Sequence, residues 1–191
     1  MPKENKVLFG LKNVHYALMS TDTQGNISYG TPVAIPGAVS LSLEAQGDSN
    51  KFYADNMAYY VSQTNDGYEG DLEIARIPDS MLTDVFKQTL DSTDKVLYED
   101  NQTEVAAFAL LFQIDGDDNN ECYVLYNCKA SRPQIGSSTV SDSKEPQTQT
   151  LTVTASPRPD GYIRARTTKD TSSAIKSGWF SAVQEPPEVN N

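Results

Sequence analysis

Asp71 and Glu73 are the pair of residues in this chain whose types and spacing could support acid–base chemistry. They lie two residues apart in the run GYEGDLEIARIPDSMLTDV. On a β-strand, residues i and i+2 share one face about 7 Å apart, a separation that overlaps the carboxylate spacing of inverting glycosidases. Two acids on one strand, however, cannot easily flank a scissile bond from opposite sides. The residues therefore favour a solvated strand face or a charged lining over a catalytic pair.

Other residues that could carry catalysis or bind a metal do not form a recognisable site. The chain has one histidine, His15, and two cysteines, too few for a zinc site, and we interpret His15 as structural or interfacial. The run DGDDNNECYVLY begins like a calcium loop, but position 6 is Asn120 instead of Gly and position 12 is Tyr126 instead of Glu. A hairpin tip at Asp115-Gly116 fits better, with only loose cation binding left open. The sequence predicts no enzyme activity, no cofactor and no metal.

Cys122 and Cys128 lie in CYVLYNC, which reads as one strand. A spacing of six predicts that both side chains share one face, with Cα atoms about 20 Å apart. A disulfide needs a Cα separation of about 4.4–6.8 Å. We therefore expect two reduced, half-buried thiols that do not pair with each other.

The acidic charge of the chain is concentrated in its middle. The net charge is −11, and residues 65–121 hold 15 acidic and three basic residues, a net of −12. A basic footprint for nucleic acid is missing from the sequence, so binding to phosphates by counterion release is not expected. A concentrated acidic segment would instead repel DNA.

Short strand-like runs separated by Gly, Pro, Asn and Asp dominate the sequence. The segment Gly37–Gln46 alternates, which predicts that Val39, Leu41 and Leu43 face the core and that Ser42 and Glu44 face outward. Two runs joined by DGDDNN predict a hairpin. Further strands are predicted in NVHYALMS, KVLYE, TLTVTASP and GYIRARTT. The pattern indicates a mainly β fold, a sandwich or a barrel.

One segment, about residues 79–90, changes to helical spacing. Its apolar residues fit one stripe of a helix, and they are Met81, Leu82, Val85, Phe86 and Leu90. Pro78 precedes the start, and Asp79 or Ser80 is suited to be the N-cap. We predict a single flanking helix that packs this stripe against the sheet.

The chain carries no segment that resembles a signal peptide or a membrane span. Its longest apolar run, Val105–Phe112, is far shorter than the roughly 20 residues of a spanning helix, so we expect a cytosol-like compartment and no membrane contact. We predict one domain over 1–185, with an N-terminal arm and a C-terminal segment, and a disordered tail over 186–191. Trp179 and Phe180 either close the domain's own core or contact another copy.

Six blocks in order resemble one protein family. They are FGLKNVHYAL, GTPVAIPGAVSLSLEAQGDSNKFYADNMAYY, GYEGDLEIARIPDSMLTDV, FALLFQIDGD, YVLYNCKASRP and EPQTQTLTVTASPRPDGYIRART. Together they cover about Val7–Phe180, and they are similar to the major tail protein (tail tube protein) family of long non-contractile-tailed phages of Gram-positive hosts.

The resemblance implies a structural virion protein with a β-sandwich-like tail tube fold. Subunits of this family form rings, usually hexameric, that stack into a tube whose inner wall is a continuous β-barrel. The resemblance further implies assembly in the host cytoplasm, location in the virion tail, and contacts with the tape-measure, tail terminator and distal tail proteins. DNA would pass through the lumen without specific binding.

The resemblance also suggests roles for particular residues. Strands with polar faces suit the inner wall, so we expect four residues to face the lumen, and they are Ser42, Glu44, Asp71 and Glu73. The loop 46–56 corresponds to the place of ring-stacking contacts in the family, which makes Phe52 and Tyr53 the first candidate anchors. Trp179 and Phe180, with the N-terminal arm, are the second candidates.

Two alternative functions remain open from the sequence. The first is the tube protein of a contractile injection or secretion system, which shares the architecture and differs by a sheath gene nearby. The second is a carbohydrate-binding or hydrolytic β-sandwich, which predicts a sugar-dependent thermal shift and loss of activity in Asp71→Asn or Glu73→Gln.

Overall fold

The computed structural model describes residues 3–139 and 146–187 and consists mainly of β-strands. The strands are β1 (Leu8–Thr21), β2 (Ile27–Tyr29), β3 (Val33–Ala34), β4 (Ala38–Gln46), β5 (Ser49–Ala54), β6 (Met57–Gln63), β7 (Gly67–Ile74), β8 (Thr89–Leu90), β9 (Leu97–Tyr98), β10 (Phe108–Gly116), β11 (Glu121–Ala130), β12 (Gln149–Ala155) and β13 (Arg164–Arg166). The helices are α1 (Asp79–Asp84) and α2 (Ser173–Gly178). Of the predicted tail, residues 188–191 lie outside the described residues.

Within the described residues, nine strands form one antiparallel sheet that turns back on itself. Its order is β2-β1-β10-β11-β12-β7-β4, with β3 added to β1 and β13 to β11. The two ends of the sheet face each other across a core, because residues of β1, β10 and β11 pack against residues of β7 and β12 in one hydrophobic cluster. This confirms the predicted mainly β fold, and β10 and β11 form the predicted hairpin.

The main core follows the alternation that was read from the sequence. Leu72 and Ile74 of β7 are fully buried, as are Leu151 and Val153 of β12. Each fully buried Leu, Ile or Val contributes about 1.5–3 kcal/mol of transfer free energy. The prediction that Leu72 and Ile74 face inward, with Asp71 and Glu73 outward, is confirmed.

A second, smaller core lies on the other face of β10 and β11. It contains Leu111, Val124, Tyr126 and Trp179 among its buried residues. The first five residues of β10 are all buried, because one face of this strand packs in each core. The uninterrupted apolar run FALLF therefore indicates a strand that is buried on both faces.

The C-terminal segment closes this second core. The Trp179 side chain is only 4% exposed, and its Nε1–H donates to the carbonyl of Tyr123 at 3.2 Å. Burial raises the pKa of Tyr126 to about 12, so its hydroxyl stays protonated and donates to the Gln184 carbonyl at 2.9 Å. The Arg158 side chain pairs with Glu185 at 2.9 Å and so fixes the segment a second time.

We expect Trp179→Ala to destabilise the subunit by about 3–5 kcal/mol, the usual effect of removing a large buried aromatic side chain. Chemical denaturation followed by tyrosine fluorescence or circular dichroism measures this free energy of unfolding. Ile175→Ala is the matched control, because Ile175 lies on the same segment but is 42% exposed. Equal stability of Trp179→Ala and the parent chain would contradict the second core.

The two cysteines do not share a face, which corrects the sequence interpretation. Cys122 packs in the second core and Cys128 in the main core. The pairing of β11 with β10 shifts by one residue between Leu125 and Cys128, and such a bulge reverses the alternation beyond it. Both thiols are free and buried rather than half-buried, and the prediction that they form no disulfide is confirmed.

A second bulge corrects the reading of β4. Ala38 pairs with Ile74 and Ser40 with Glu73, so Val39 is the extra residue of the strand and is 53% exposed. Leu41 and Leu43 do pack against the main core, as predicted, and Ala38 takes the inward place expected for Val39.

Helix α1 is shorter than the predicted 79–90 and is not the only helix. It ends at Asp84 because Lys87 has a positive φ of 56° and the Val85 carbonyl accepts from the Ala106 N–H at 2.8 Å. Met81 and Val85 are buried as predicted, but Leu90 lies exposed in β8.

The helix ends also differ from the predicted capping. Pro78 occupies the N-cap of α1, with no side-chain hydrogen bond, instead of Asp79 or Ser80. The second helix, α2, is capped by the Ser172 hydroxyl, which accepts from the Ile175 N–H. Among the described residues, every helix is too short to cross a membrane.

Candidate assembly surfaces

The outer face of β4, β7 and β12 is a polar surface with regular rows. The strands pair in register so that Ser42, Asp71 and Thr152 form one row across the sheet. The neighbouring rows bring in the remaining members of this surface, which are Ser40, Glu73, Thr150, Glu44, Glu69 and Thr154. We call these nine residues the acidic face.

The acidic face brings together all four residues that the sequence suggested for the lumen. Ser42, Glu44, Asp71 and Glu73 lie on it, on two adjacent strands. Sequence reasoning missed Glu69, although it occupies the same outward phase of β7, two residues before Asp71. The alternation of GYEGDLEI would have identified it, since Tyr68, Leu72 and Ile74 face inward.

Hydroxyl groups donate hydrogen bonds to two carboxylates of the acidic face. Glu73 accepts from the Thr148 hydroxyl at 2.6 Å and from the Ser40 hydroxyl at 2.9 Å, and Asp71 accepts from Thr152 at 2.8 Å. The Thr148 bond, and then the Ser40 bond, lower the pKa of Glu73 below its ordinary value. Glu73 therefore stays charged near neutral pH, which does not match a general acid.

Like charges stand side by side on this face. Glu44 of β4 lies directly opposite Glu69 of β7, a pairing that destabilises a free sheet. The sequences of β4, β7 and β12 contain no Lys, Arg or His, and the nearest basic neighbour in the register is Lys129 of β11, opposite Thr154. Such an arrangement costs the subunit stability and produces a continuous negative potential outside the face.

The pH dependence of stability tests the hydrogen bonds of Glu73. Because its pKa is lowered in the folded state, Glu73 stabilises the fold above the ordinary Glu pKa, and this contribution is lost as pH falls through the folded-state value. We expect Glu73→Gln to lower Tm slightly at about pH 7 and to lower it less at about pH 3, because the contribution of the charged carboxylate is lost as pH falls.

Thermal melts at the two pH values measure this difference, and Glu44→Gln is the matched control. It removes one charge from the same face and relieves the repulsion with Glu69, so its Tm at neutral pH should not fall. A Glu73→Gln deficit of the same size at both pH values would contradict the assignment.

Strand β4 forms an open edge of the large sheet. It pairs with β7 on one side, and the described residues place no strand on its other side. At the other end of the sheet, β3 pairs with β1 only at His15 and Tyr16, and β2 pairs only from Met19 onward. Within the described residues, the outer edge of β1 from Leu8 to Lys12 is therefore also unpaired.

Between β4 and β7 the chain extends a two-stranded hairpin, β5–β6, which we call the hairpin arm (49–63). Its turn residues Asp55 and Asn56 both have positive φ, 52° and 59°, the geometry of a type I′ turn. The sequence predicts a loop over 46–56, whereas 49–54 is one strand of this arm. The missed signal was the Asp-Asn pair between two aromatic runs.

The hairpin arm exposes a large apolar surface. Phe52, Tyr53 and Tyr60 are 62–64% exposed, and Tyr59 is 72% exposed. Phe52 pairs with Tyr60 across the two strands, and Ala54 pairs with Met57, so Phe52, Met57 and Tyr60 share one face of the arm. An isolated two-stranded hairpin is marginally stable in water, so this exposed surface is a candidate interaction surface.

The other predicted anchors lie elsewhere. Trp179 is in the second core, so the structure favours the core interpretation of this residue over contact with another copy. Phe180 is partly buried, with its ring 5.0 Å from the ring of His15. The N-terminal arm docks on its own subunit, where the Asn5 side chain bonds to the N–H and the carbonyl of Asn119 at 2.7 and 2.8 Å.

Nothing in the described part of the chain groups three or more potential metal ligands. The run that begins like a calcium loop forms instead the end of β10, the connection to β11 and the first part of β11. Its Asp115 pairs with Lys12, and the Asp117 carboxylate accepts from the Lys6 N–H at 2.9 Å.

Comparison with known proteins identifies the family. A search of curated proteins finds no match to the chain. The family model described as phage tail tube protein matches residues 3–179, which includes every strand and both helices described above. A structural role in the phage tail follows from the family and agrees with the open sheet edge and the acidic face. The chain belongs to the phage tail tube protein family.

Proposed function

We propose that copies of this chain close into rings, hexameric as is usual for the family it resembles, and that the rings stack into the tube that delivers DNA. The observation that carries the proposal is the position of the acidic face. It lies on β12, β7 and β4, and β4 is the unpaired edge strand of the sheet. A head-to-tail contact between the β4 edge of one copy and the β1 edge of the next would join the sheets. Such a contact is heterologous and closes into a ring, and closure removes the open edges.

The acidic face then lines the lumen. DNA must move through the tube without being held, and a wall of carboxylates repels phosphate. Ser42, Glu44, Asp71 and Glu73 are the proposed lumen residues, and Glu69 joins them. Glu44 and Glu69 repel each other and so destabilise the free subunit, but in the lumen their two charges both repel the phosphates of DNA.

The hairpin arm provides the contact between rings. It connects two strands of the acidic face, because β4 precedes it in the chain and β7 follows it. Within the described residues, its apolar side chains are exposed to solvent. Phe52 and Tyr53 remain the proposed anchors, and Tyr59 and Tyr60 are added to them. Phe180, beside His15, is a secondary candidate.

The remaining expectations rest on the resemblance alone. They are a long non-contractile tail of a phage of Gram-positive hosts, assembly in the host cytoplasm, and contacts with the tape-measure, tail terminator and distal tail proteins.

Negative-stain electron microscopy of the purified protein over a range of concentrations tests the proposal. We expect rings and stacked tubes to form as concentration rises, together with a matching increase of mass in light scattering. A monomer at every concentration and ionic strength would overturn self-assembly. Under the carbohydrate alternative, a panel of oligosaccharides would raise Tm, and we expect no such shift.

A further inference from the structure

A second exposed apolar feature lies at the open end of the main core, between β1 and β4. It is a groove of about 430 Å³, lined mainly by the apolar side chains of Leu8, Phe9, Leu11, Leu41 and Leu43. We call it the β1–β4 groove. Leu8 and Phe9 are 46% and 57% exposed, so the subunit itself leaves this end of its core uncovered.

The groove carries one charged side chain, Arg164. Its guanidinium lies over the ring of Tyr68, 5.4 Å from the centroid, and among the described residues no carboxylate forms an ion pair with it. The contact with Tyr68 holds the positive charge at the groove. A partner for this groove should therefore combine aromatic or aliphatic side chains with an acidic group.

The hairpin arm has this combination. One face carries Phe52, Met57 and Tyr60, and the turn at its tip carries the exposed Asp55. Aromatic side chains bury about 150–250 Å² each in an interface, so Phe52 and Tyr60 on this face supply roughly half of the ~800 Å² per partner of a stable interface. We propose that the β1–β4 groove of one copy binds the hairpin arm of a second copy, with Asp55 directed toward Arg164.

The arm cannot fill the groove of its own subunit. It begins at Ser49, shortly after β4, and ends at Gln63, shortly before Tyr68, which is itself a groove residue. Each strand of the arm is about 20 Å long for its six or so residues, so the tip lies far from its own base. The proposal rests on the proposed self-assembly, and it adds the receptor surface for the arm.

Cross-linking between mixed copies tests the proposal. One population carries Met57→Cys, on the arm, and the other carries Leu8→Cys, at the groove. Both residues are exposed in the parent, and the native Cys122 and Cys128 are buried. A short bis-maleimide linker should join the two populations into a dimer on a denaturing gel once tubes have formed.

Two matched control variants test whether the cross-link is specific to this face of the arm and to the β1–β4 groove. Lys51→Cys lies on the opposite face of the arm, opposite Val61, and Leu90→Cys has an exposure similar to that of Leu8 but lies on β8. Mixtures that contain either control should give only background dimer. Tubes without the Met57–Leu8 product would overturn this inference and leave the proposed function standing, whereas failure to form tubes at all would count against the proposed function.

Charge exchange provides an independent readout. Asp55→Arg and Arg164→Glu should each reduce tube formation, and the double variant should restore it. Circular dichroism and Tm of each single variant show whether the subunit still folds. Equal loss in the double variant and the two single variants, with folding intact, would overturn the Asp55–Arg164 contact.

Discussion

Replacing Phe52 and Tyr60 by serine is expected to abolish tube formation while the subunit stays folded. Truncation of an aromatic anchor in a well-packed interface costs about 2 kcal/mol or more. Two such anchors correspond to a loss of roughly a thousandfold in the affinity of one contact, and a ring makes this contact once per subunit. Because both side chains are more than 60% exposed in the subunit, its free energy of unfolding should change by no more than about 0.5 kcal/mol.

Electron microscopy and sedimentation measure tube formation, and Tyr98→Ser is the matched control. Tyr98 lies on β9 and is 57% exposed, so its replacement removes a similarly accessible aromatic ring outside the hairpin arm. Tubes of normal length from the Phe52→Ser/Tyr60→Ser variant would show that the arm does not join the rings.

Reversing the charge of the acidic face is expected to turn a repulsive lumen into one that retains DNA. Glu44→Lys, Asp71→Lys and Glu73→Lys in one chain replace three acids by three bases in every subunit of the wall. Contacts between lysine and phosphate release counterions, and their affinity falls steeply as salt rises. We expect variant tubes to bind DNA at low salt and to release it at high salt, and parent tubes not to bind it.

Nuclease protection separates binding inside the tube from binding outside it. The control variant combines Asp94→Lys, Asp100→Lys and Glu104→Lys, which replace exposed acids outside the acidic face. DNA held by the acidic-face variant should resist nuclease, and DNA held by the control variant should be digested. Equal nuclease sensitivity of DNA on both lysine variants would contradict the lumen assignment.

A neutral variant separates loss of repulsion from gain of attraction. It combines Glu44→Gln, Asp71→Asn and Glu73→Gln, which remove the three negative charges and add no positive ones. Because amides do not release counterions from phosphates, tubes of this variant should retain no DNA.

Sequence patterns predicted the strand faces wherever pairing continues without interruption. In β7 the period of two places Leu72 and Ile74 in the core and Asp71 and Glu73 outside, and the structure confirms it. This succeeds because each strand has one buried face, which fixes its side-chain phase.

The failures come from features that depend on distant parts of the chain. The bulges at Val39 and between Leu125 and Cys128 exist because β4 and β11 pair with other strands in a register that no local pattern contains. Likewise α1 stops at Asp84 because the Val85 carbonyl bonds to Ala106. The apolar residues continue at helical spacing beyond Asp84, but the hydrogen bond between Val85 and Ala106 ends the helix there.

The candidate site was predictable in part for the same reason. Ser42, Glu44, Asp71 and Glu73 could be assigned to outward strand faces, but only the pairing of β4 with β7 shows that they form one surface. The candidate anchors lie on a hairpin arm because the chain turns at Asp55-Asn56, whereas the sequence pattern predicts a loop over this segment.

The role of Trp179 could not be decided from the sequence. A C-terminal aromatic residue serves equally well in a core or at an interface, because both environments remove the same apolar surface from water. Only the contacts with β10 and β11 show that its place is in the second core.

A helical reconstruction by electron cryo-microscopy of tubes assembled from the purified chain tests the central claim most directly. The account predicts a ring-stacked tube in which Glu44, Asp71 and Glu73 point into the lumen and β4 pairs with a strand of the neighbouring subunit. A tube with these carboxylates on its outer surface, or with β4 unpaired, would contradict it.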